Sequence, residues 1–277
     1  MAIDGKIIVL TGATSGIGED AAFLLASMGT LLVLPVRNME KGENLKREII
    51  ERTGNSNIHL MECDLASFTS IRNFASDLKK RFNKLHVLIN NAGIWERDRK
   101  ETVDGIEMNF GVNHLAPFLL TNLLLDELRT GAPSRIINVS STAHRYGKIN
   151  FDDPEGKKRF CSIIAYGRSK NANILFTRRL ARMVEKDGIT VNCLHPGFVS
   201  THLFDRLNPL IRYGGRLFMI SPHKGAETIV YLASSDEVEG VTGEYFARKK
   251  IRKPSASARD DAAAEKLWEL SRKYTGI

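Results

Sequence analysis

Short apolar runs alternate with longer amphipathic runs along almost the whole chain of 277 residues. The short runs are apolar on both faces, which predicts buried strands, and the spacing of apolar residues in the longer runs predicts helices. Alternation of this kind predicts a parallel sheet covered by helices on both of its faces. The chain has no linker rich in proline, glycine or serine and no internal repeat, so we expect one α/β domain over residues 1–277.

The predicted elements cover most of the chain. Strands are predicted at residues 6–11, 31–36, 58–62, 85–90, 135–140, 190–194 and 243–246. Helices are predicted at residues 17–28, 39–52, 68–82, 105–128, 166–186, 224–233 and 262–274. Pro35 falls inside the second strand, where proline removes a backbone donor, so we expect it to mark the end of that strand.

The composition excludes several classes of protein. Hydrophobic residues make up 43% of the chain and charged residues 26%, unlike a disordered chain, a collagen or a small disulfide scaffold. The net charge of +8 suits an anionic ligand without identifying one. Two basic runs, at residues 157–159 and 248–253, contain few aromatic residues and no nucleic-acid motif. We therefore expect no nucleic-acid partner, and at most a peripheral contact with an anionic membrane surface.

The cysteines and the first residues bear on the cellular compartment. Cys63, Cys161 and Cys193 are widely separated, with no zinc-binding spacing, and their odd number fits a reducing compartment. The first residues lack the charged start and apolar run of a signal peptide, and no apolar stretch approaches the roughly 20 residues that span a bilayer. We therefore expect a cytoplasmic protein without a metal site.

A glycine-rich turn, Thr11–Gly18, follows the first predicted strand and opens the first predicted helix. Gly12 permits a tight exit from the strand, Gly16 lets the backbone approach a pyrophosphate, and Gly18 lets the helix pack closely on the sheet. The N-terminus of the helix offers unpaired N–H groups and a partial positive charge to phosphates. The spacing GxxxGxG lacks the lysine of a P-loop and favours a dinucleotide site over a glycine turn without a ligand. The positions selected as cofactor-binding here are Gly12, Thr14, Ser15, Gly16, Ile17 and Gly18.

The end of the second strand bears on the choice of dinucleotide. No acidic residue for a ribose 2′-hydroxyl occurs between Leu34 and Asn38, whereas Arg37 has the planar fork that pairs with a 2′-phosphate. Lys41 adds positive charge nearby. This pattern favours NADP(H), and the alternative is that Arg37 is a solvated residue after a strand.

Five motifs in a fixed order carry a resemblance to a known family. They are Thr11–Gly18, Asn90–Gly93, Ser140–Ser141, Tyr166–Lys170 and Pro196–Gly197. With this set the chain resembles the short-chain dehydrogenase/reductase family over about residues 1–250. Within the family, the chain most resembles the retinol dehydrogenase-like branch and its WW-domain oxidoreductase relatives. Three segments carry this resemblance: Val112–Leu115, Asn138–His144 and Glu265–Trp268. The resemblance implies a doubly wound Rossmann-type fold and an oxidoreductase that interconverts a carbonyl and an alcohol on a small to medium apolar substrate.

Tyr166 and Lys170 are four residues apart, so they share one face of a helix. A phenol with a pKa near 10 is a poor base at neutral pH, and we expect the nearby ammonium group to lower the pKa of Tyr166. Tyr166 then exchanges a proton with the substrate oxygen while hydride moves to or from the cofactor. The resemblance implies that Lys170 also holds the nicotinamide ribose, and the alternative is an exposed helix pair.

The resemblance also implies further site residues. Ser141 would hydrogen-bond the reacting oxygen, with Ser140 as its competitor. Asn113 would hold a water-linked proton path near Lys170, or else be a buried asparagine that satisfies backbone groups. Asp64 would meet the adenine edge, or else cap a helix. The other cofactor-binding positions implied by the resemblance are Leu65, Asn90, Asn91, Ala92, Gly93, Pro196, Gly197, Val199 and Thr201.

Residues 203–220 are rich in apolar side chains, and the resemblance implies a substrate lid at about residues 200–222. The alternative is an amphipathic helix packed on the body of the protein. Trp95 would line the same cleft or lie at the surface. His144 and His195 are not selected as general bases, because histidines with structural roles are commoner.

The sequence alone leaves two rival functions to be considered. A non-catalytic NADP(H)-binding regulator or scaffold would keep the glycine turn but would not need Ser141, Tyr166 and Lys170 together. A nucleotide-sugar epimerase or dehydratase usually has a larger C-terminal domain, for which this chain has no room. Homo-oligomers are common in the family, and a homo-oligomer is therefore a further expectation.

Overall fold

The structure is a computed structural model that describes residues 3–197 and 221–277. The strands in these ranges form an eight-stranded sheet of the order β3-β2-β1-β4-β5-β6-β7-β8. They are β1 (Ile7–Leu10), β2 (Leu31–Val36), β3 (Ile58–Glu62), β4 (Val87–Asn90), β5 (Ser134–Val139), β6 (Ile189–His195), β7 (Tyr245–Ala247) and β8 (Lys250–Ile251). Strands β1 to β7 are parallel, as predicted, and β8 pairs antiparallel to β7. The protein thus has the α/β Rossmann-type fold.

Helices cover both faces of the sheet. They are α1 (Gly16–Ala26), α2 (Met39–Thr53), α3 (Phe68–Arg81), α4 (Met108–Phe110), α5 (Ala116–Leu123), α6 (Leu125–Thr130), α7 (Ser162–Met183), α8 (Pro222–Ser234) and α9 (Asp261–Thr275). Ile8 and Leu10 pack in the core that contains α1, α2 and α8, whereas Ile7 and Val9 pack in the core that contains α3, α5, α7 and α9. Successive strand side chains therefore enter opposite cores, which explains why these strands are apolar on both faces.

Strand β2 has the predicted bounds, but Pro35 does not end it. The pairing of β2 with β1 ends at Val33, whereas the pairing with β3 continues to Val36. The N–H of Leu31 points to β1 and that of Leu32 points to β3, so position 35 faces the β1 side by alternation. The proline therefore stands beyond the last residue paired with β1, where its missing donor interrupts no established pairing.

The long helix predicted at residues 105–128 is interrupted. It starts at α4, passes through a π-helical turn (Gly111–Leu115) into α5, and continues as α6. The carboxylate of Glu107 accepts hydrogen bonds from the N–H groups of Asn109 and Phe110, which fixes the start three residues later than predicted. Leu124 has φ −107° and ψ 9°, outside the helical range, and separates α5 from α6.

Two other boundaries differ from the prediction. Helix α7 begins at Ser162 and ends at Met183, so Tyr166 lies in its second turn rather than at its start. The last two strands form a hairpin whose turn residues, Arg248 and Lys249, have φ of 53° and 60°. Both residues adopt the left-handed backbone conformation that a two-residue hairpin turn of type I′ requires.

The predicted substrate lid lies outside the described residues, apart from its last two positions. Those positions are Ser221, which caps α8 by accepting from the N–H of Lys224, and Pro222, the first residue of α8. Among the helices in the described ranges, none is both long enough and apolar enough to cross a membrane.

Candidate active site

The carboxyl ends of β1, β4, β5 and β6 lie side by side along one edge of the sheet. The segments that follow these strands contain the motif residues Gly12–Gly18, Asn91–Gly93, Ser140–Ser141 and Pro196–Gly197. The strand order reverses between β1 and β4, and open α/β sheets bind their ligands in the crevice at such a point. The site is therefore built at the edge where the sequence places its motifs.

The glycine turn packs its backbone directly against the segment after β4. Gly12 and Gly16 have φ of +68° and +58°, in the left-handed region. A Cβ on Gly12 would lie 2.8 Å from the Cα of Ala92, and one on Gly18 would lie 2.5 Å from Nδ2 of Asn91 and collide with the carbonyl oxygen of Gly12. Only glycine fits at Gly12 and Gly18 without moving backbone.

Helix α1 presents free backbone donors at this turn. Its N-cap residue, Ser15, makes no side-chain capping hydrogen bond within the described part of the chain. The first N–H groups of α1 therefore lack intrahelical partners and lie at the positive end of the helix dipole. Thr14 and Ile17 flank this end, and the arrangement fits the pyrophosphate of a dinucleotide.

Thr11 joins the turn to the segment after β4 and is a site residue that is not among the predicted cofactor-binding positions. Its hydroxyl donates to the carbonyl of Ile89 at 3.3 Å and accepts from the N–H groups of Asn91 and Ala92, at 3.0 Å each. The amide of Asn91 donates to the carbonyls of Thr11 and Gly12 at 2.9 and 3.2 Å. The side chain of Asn91 therefore shapes the turn. Thr11 is the first residue of the Thr11–Gly18 motif, and this position is the sequence feature that indicates its role.

Arg37 is exposed directly after β2 and has no ion pair among the residues that the structure describes. Asn38 caps α2 by accepting from the N–H of Lys41 at 2.9 Å, which places a second exposed cation in the first turn of that helix. Two exposed cations thus lie at the carboxyl end of the strand beside β1, where a 2′-phosphate would carry negative charge.

Asp64 and Leu65 follow β3 and are half-buried. The carboxylate of Asp64 accepts from the N–H of Ala66 at 2.9 Å. Helix α3 is capped instead by Ser67, whose hydroxyl accepts from the N–H of Ser70 at 3.2 Å. The helix-cap alternative for Asp64 is therefore wrong, and its carboxylate organises the turn after β3.

Lys170 and Asn113 border the same glycine. A Cβ on Gly93 would lie 3.0 Å from Nζ of Lys170 and 3.4 Å from Oδ1 of Asn113. The ammonium group is buried and donates to the carbonyl of Val139 at 3.1 Å. The Asn113 side chain accepts from the N–H of Ile94 at 2.8 Å and donates to its carbonyl at 2.9 Å. Asn113 thus satisfies backbone groups, and it does so beside the lysine.

Tyr166 lies between Ser141 and Lys170. The Ser141 side chain lies against its phenol, and Nζ of Lys170 lies 5.7 Å from the centre of its ring. Burial raises the pKa of Tyr166 to about 12, which the neighbouring Ser141 side chain offsets only in part, and burial lowers the pKa of Lys170 to about 8. The expected lowering of the phenol pKa is therefore wrong for this structure, because withdrawal from water disfavours both charged forms.

The two neighbouring serines have different surroundings. The hydroxyl of Ser140 is buried and donates to the carbonyl of Lys170 at 2.7 Å, so it ties β5 to α7. The hydroxyl of Ser141 accepts from the N–H of Ala143 at 3.2 Å and contacts Tyr166. The structure thus places Ser141, and not Ser140, against the phenol.

The side chain of Asn90 is buried in the core. Its amide donates to Oγ1 of Thr121 at 3.0 Å and to Oδ1 of Asn138 at 2.8 Å. The amide of Asn138 in turn donates to Oγ1 of Thr177 at 2.9 Å. Asn90 is thus part of a buried polar network that joins β4, β5, α5 and α7, and its expected place next to the cofactor ribose stays a prediction.

An aromatic side chain lies beside Tyr166. The ring of Trp95 lies 5.9 Å from that of Tyr166, so Trp95 lines the cleft, as one of its two alternatives predicts. Pro196 and Gly197 are half-buried after β6. The predicted cofactor positions Val199 and Thr201 lie outside the described residues.

Comparisons with known proteins agree with this geometry. A family model for the short chain dehydrogenase matches residues 6–210. Retinol dehydrogenase 12 of Mus musculus is 43% identical over 278 residues, which cover 99% of this chain and 88% of that protein. Retinol dehydrogenase 14 of Homo sapiens is 42% identical over 292 residues, which cover 99% of this chain and 87% of that protein.

Solved structures share the fold. An uncharacterised protein from Mycobacterium paratuberculosis matches with a TM-score of 0.82 and 32% identity, over all of this chain and 95% of that one. The RhlG/NADP active-site complex of Pseudomonas aeruginosa matches with a TM-score of 0.74 and 24% identity, over 88% of this chain and 95% of that one. At this lower identity the likeness bears on the fold alone.

Proposed function

The chain belongs to the short-chain dehydrogenase family, and from this premise we propose an NADP(H)-dependent oxidoreductase that interconverts a carbonyl and an alcohol on a small to medium apolar substrate. The family works with nicotinamide dinucleotides. One observation carries the proposal: Ser141, Tyr166 and Lys170 meet at the crevice that the glycine turn borders. A scaffold that only bound a dinucleotide would not need this proton-transferring group.

The residues at the crevice fit a dinucleotide. Gly12 and Gly18 allow close approach of backbone, and the uncapped start of α1 offers donors to a pyrophosphate. Arg37 supplies an exposed cation at the place where NADP(H) differs from NAD(H), so we propose a preference for NADP(H). In this proposal Lys170 holds the nicotinamide ribose, which the position of its Nζ beside Gly93 supports.

When bound at this crevice, NADP(H) would supply or take up hydride. Tyr166 gives a proton to the carbonyl oxygen during reduction and takes one from the alcohol during oxidation. Ser141, whose side chain lies against the phenol, gives the reacting oxygen a second hydrogen-bonding partner. Because its pKa of about 12 keeps Tyr166 protonated at neutral pH, the ligand-free protein is prepared for reduction.

Apolar side chains at the cleft support an apolar substrate. Ile163, 49% exposed, precedes Tyr166 by three residues and shares its face of α7. Tyr146, 68% exposed, ends the turn after Ser141. Large apolar side chains left in water next to a polar catalytic group favour a substrate with an apolar body.

A screen tests the proposal. Retinol is the alcohol named in the relatives, so all-trans-retinal is tested beside nonanal, benzaldehyde and cyclohexanone, with NADPH consumption read by absorbance. We expect consumption that depends on enzyme and carbonyl compound, and tight NADPH binding by fluorescence titration. NADPH binding without turnover of any carbonyl or alcohol would instead favour the non-catalytic regulator or scaffold.

A further inference from the structure

The peptide group between Ser141 and Thr142 is held at both of its polar atoms by histidine rings. Nδ1 of His144 lies 2.6 Å from the carbonyl oxygen of Ser141. The N–H of Thr142 donates to Nδ1 of His195 at 3.3 Å. The two rings come from different elements, since His144 lies in the 3₁₀ helix Thr142–Arg145 and His195 ends β6. Both are buried.

The hydrogen bonds assign opposite tautomers to the two rings. Nε2 of His144 accepts from the N–H of Ser255 at 3.1 Å, so the ring carries its proton on Nδ1 and donates it to Ser141. Nδ1 of His195 accepts from Thr142, so a neutral His195 carries its proton on Nε2. Burial lowers the pKa of both rings, that of His195 to about 4, and both are therefore neutral at neutral pH.

Both nitrogens of His144 are engaged by backbone groups, which leaves the ring no free position for a substrate proton. Asn171, the residue after Lys170, extends the same arrangement. Its amide donates to the carbonyl of His144 at 3.3 Å and to Oγ of Ser257 at 2.9 Å. The turn that follows Ser141 is thereby tied to α7 on one side and to residues 255–257 on the other.

The held peptide group controls where the Ser141 side chain points. Ser141 has an extended backbone, with φ −156° and ψ 157°, and its hydroxyl contacts Tyr166. The ψ angle of a residue sets the orientation of the peptide group that follows it. Fixing the carbonyl of Ser141 and the N–H of Thr142 therefore fixes this ψ and the direction of the Cα–Cβ bond. The hydrogen bond that the hydroxyl accepts from the N–H of Ala143 at 3.2 Å then holds the hydroxyl about χ1.

We propose that His144 and His195 are positioning residues that clamp the Ser141–Thr142 peptide and thereby hold the Ser141 hydroxyl at the phenol of Tyr166. The proposal rests on the proposed function of Ser141 and Tyr166, because it assigns the histidines to that same site. The clamp itself is a property of the ligand-free protein, so it is measured without any substrate.

A spectroscopic experiment on the free protein tests the clamp. Long-range ¹H–¹⁵N NMR of the histidine rings at neutral pH reports which nitrogen carries the proton. We expect the Nδ1–H tautomer for His144 and the Nε2–H tautomer for His195, assigned with His144→Asn and His195→Asn. A charged ring, or the opposite tautomer at His144, would overturn the proposal.

A kinetic experiment uses matched substitutions at position 144. Asparagine places its amide donor near the position of Nδ1 and keeps a bond to Ser141, whereas glutamine reaches only the position of Nε2 and keeps a bond to Ser255. With nonanal and NADPH, we expect His144→Gln to lower kcat about 10- to 100-fold with KM nearly unchanged, because small displacements of a reacting group have effects of this size. His144→Asn should keep kcat within about threefold, although it loses the Ser255 bond.

The same design applies at His195, where asparagine offers an acceptor to Thr142 and phenylalanine offers none. Equal kcat values for the asparagine and glutamine variants of His144, at similar melting temperatures, would contradict positioning through Ser141. An inactive wild-type protein with the expected tautomers would contradict the proposed function but not the clamp. An active wild-type protein with the wrong tautomers would contradict the clamp alone.

Discussion

The backbone of Gly147 lies directly against the backbone of Gly167, the residue that follows Tyr166 on α7. A Cβ on Gly167 would lie 2.6 Å from the carbonyl oxygen of Ala143 and 3.1 Å from the nitrogen of Gly147. The turn after Ser141 and the helix that carries the phenol therefore touch with no side chain between them. This contact sets how close Ser141 and Tyr166 come.

The change Gly167→Ala tests this contact. Alanine is the better helix former by about 1 kcal/mol, but its methyl group must displace backbone, and overpacking typically costs about 1–3 kcal/mol. We expect a lower free energy of unfolding in urea and a lower kcat. The control is Gly42→Ala on α2, whose Cβ would lie 3.2 Å from methyl groups of Leu60 and Val36 that can adjust. If Gly167→Ala were as stable and as active as the wild type, the contact would not set the geometry.

Arg37 is predicted to set the choice of dinucleotide. Loss of a charge-assisted hydrogen bond costs about 1.5–3 kcal/mol, so Arg37→Ala should weaken NADPH binding by roughly 10- to 100-fold and leave NADH binding nearly unchanged. Fluorescence titration with both dinucleotides measures the ratio of their dissociation constants. Arg47→Ala, which removes an exposed arginine within α2, should leave that ratio unchanged. Wild-type protein that binds NADH as tightly as NADPH would refute the preference.

The raised pKa of Tyr166 predicts different pH dependences for the two directions. Oxidation needs the phenolate, and below a pKa of about 12 the phenolate fraction rises tenfold with each pH unit. We expect kcat/KM for alcohol oxidation to rise from about pH 6 to pH 9. The kcat/KM for carbonyl reduction, which needs the protonated phenol, should not rise over that range. A falling oxidation profile would show that Tyr166 is not the group that accepts the proton.

His114 is predicted to reduce stability in acid. The ring is fully buried, with Nε2 2.9 Å from Oγ of Ser271 on α9, and burial lowers its pKa to about 4. In the unfolded chain the pKa is about 6.5, so between about pH 6.5 and pH 4 the unfolded state binds a proton that the folded state does not. The free energy of unfolding therefore falls as pH falls through this window, by about 1.4 kcal/mol per pH unit from this group.

Urea unfolding of the wild type and of His114→Gln at several pH values measures this effect. The glutamine cannot titrate, so the variant should lose less stability between about pH 6.5 and pH 4. Identical slopes for the two proteins would mean that His114 takes up its proton equally in both states.

The sequence predicts those features that depend on local pattern. The bounds of β2 and β3 are those predicted. A short run that is apolar on both faces and lies between turn residues is typical of a buried strand. The late start of α4 was not predictable in this way. Glu107, which caps α4, donates its own N–H to Oε2 of Glu155 at 3.0 Å, and that partner is distant in the chain.

In the candidate site, too, the sequence predicts some features, whereas others depend on contacts in the folded chain. Tyr166, Lys170 and the glycines were found from spacing and motif order, but the surroundings of each side chain depend on the folded chain. Burial reverses the expected shift of the phenol pKa. The bond between His144 and Ser255 joins segments that no local pattern relates.

The turnover of Tyr166→Phe tests the central claim most directly. The change removes only the phenolic oxygen, and loss of a general acid typically slows a reaction about 10²- to 10⁴-fold. With NADPH and the best carbonyl substrate of the screen, we predict a loss of this size in kcat, with NADPH affinity in fluorescence titration unchanged within about threefold. A variant that turns over at the wild-type rate would contradict the assignment of Tyr166 as the proton donor.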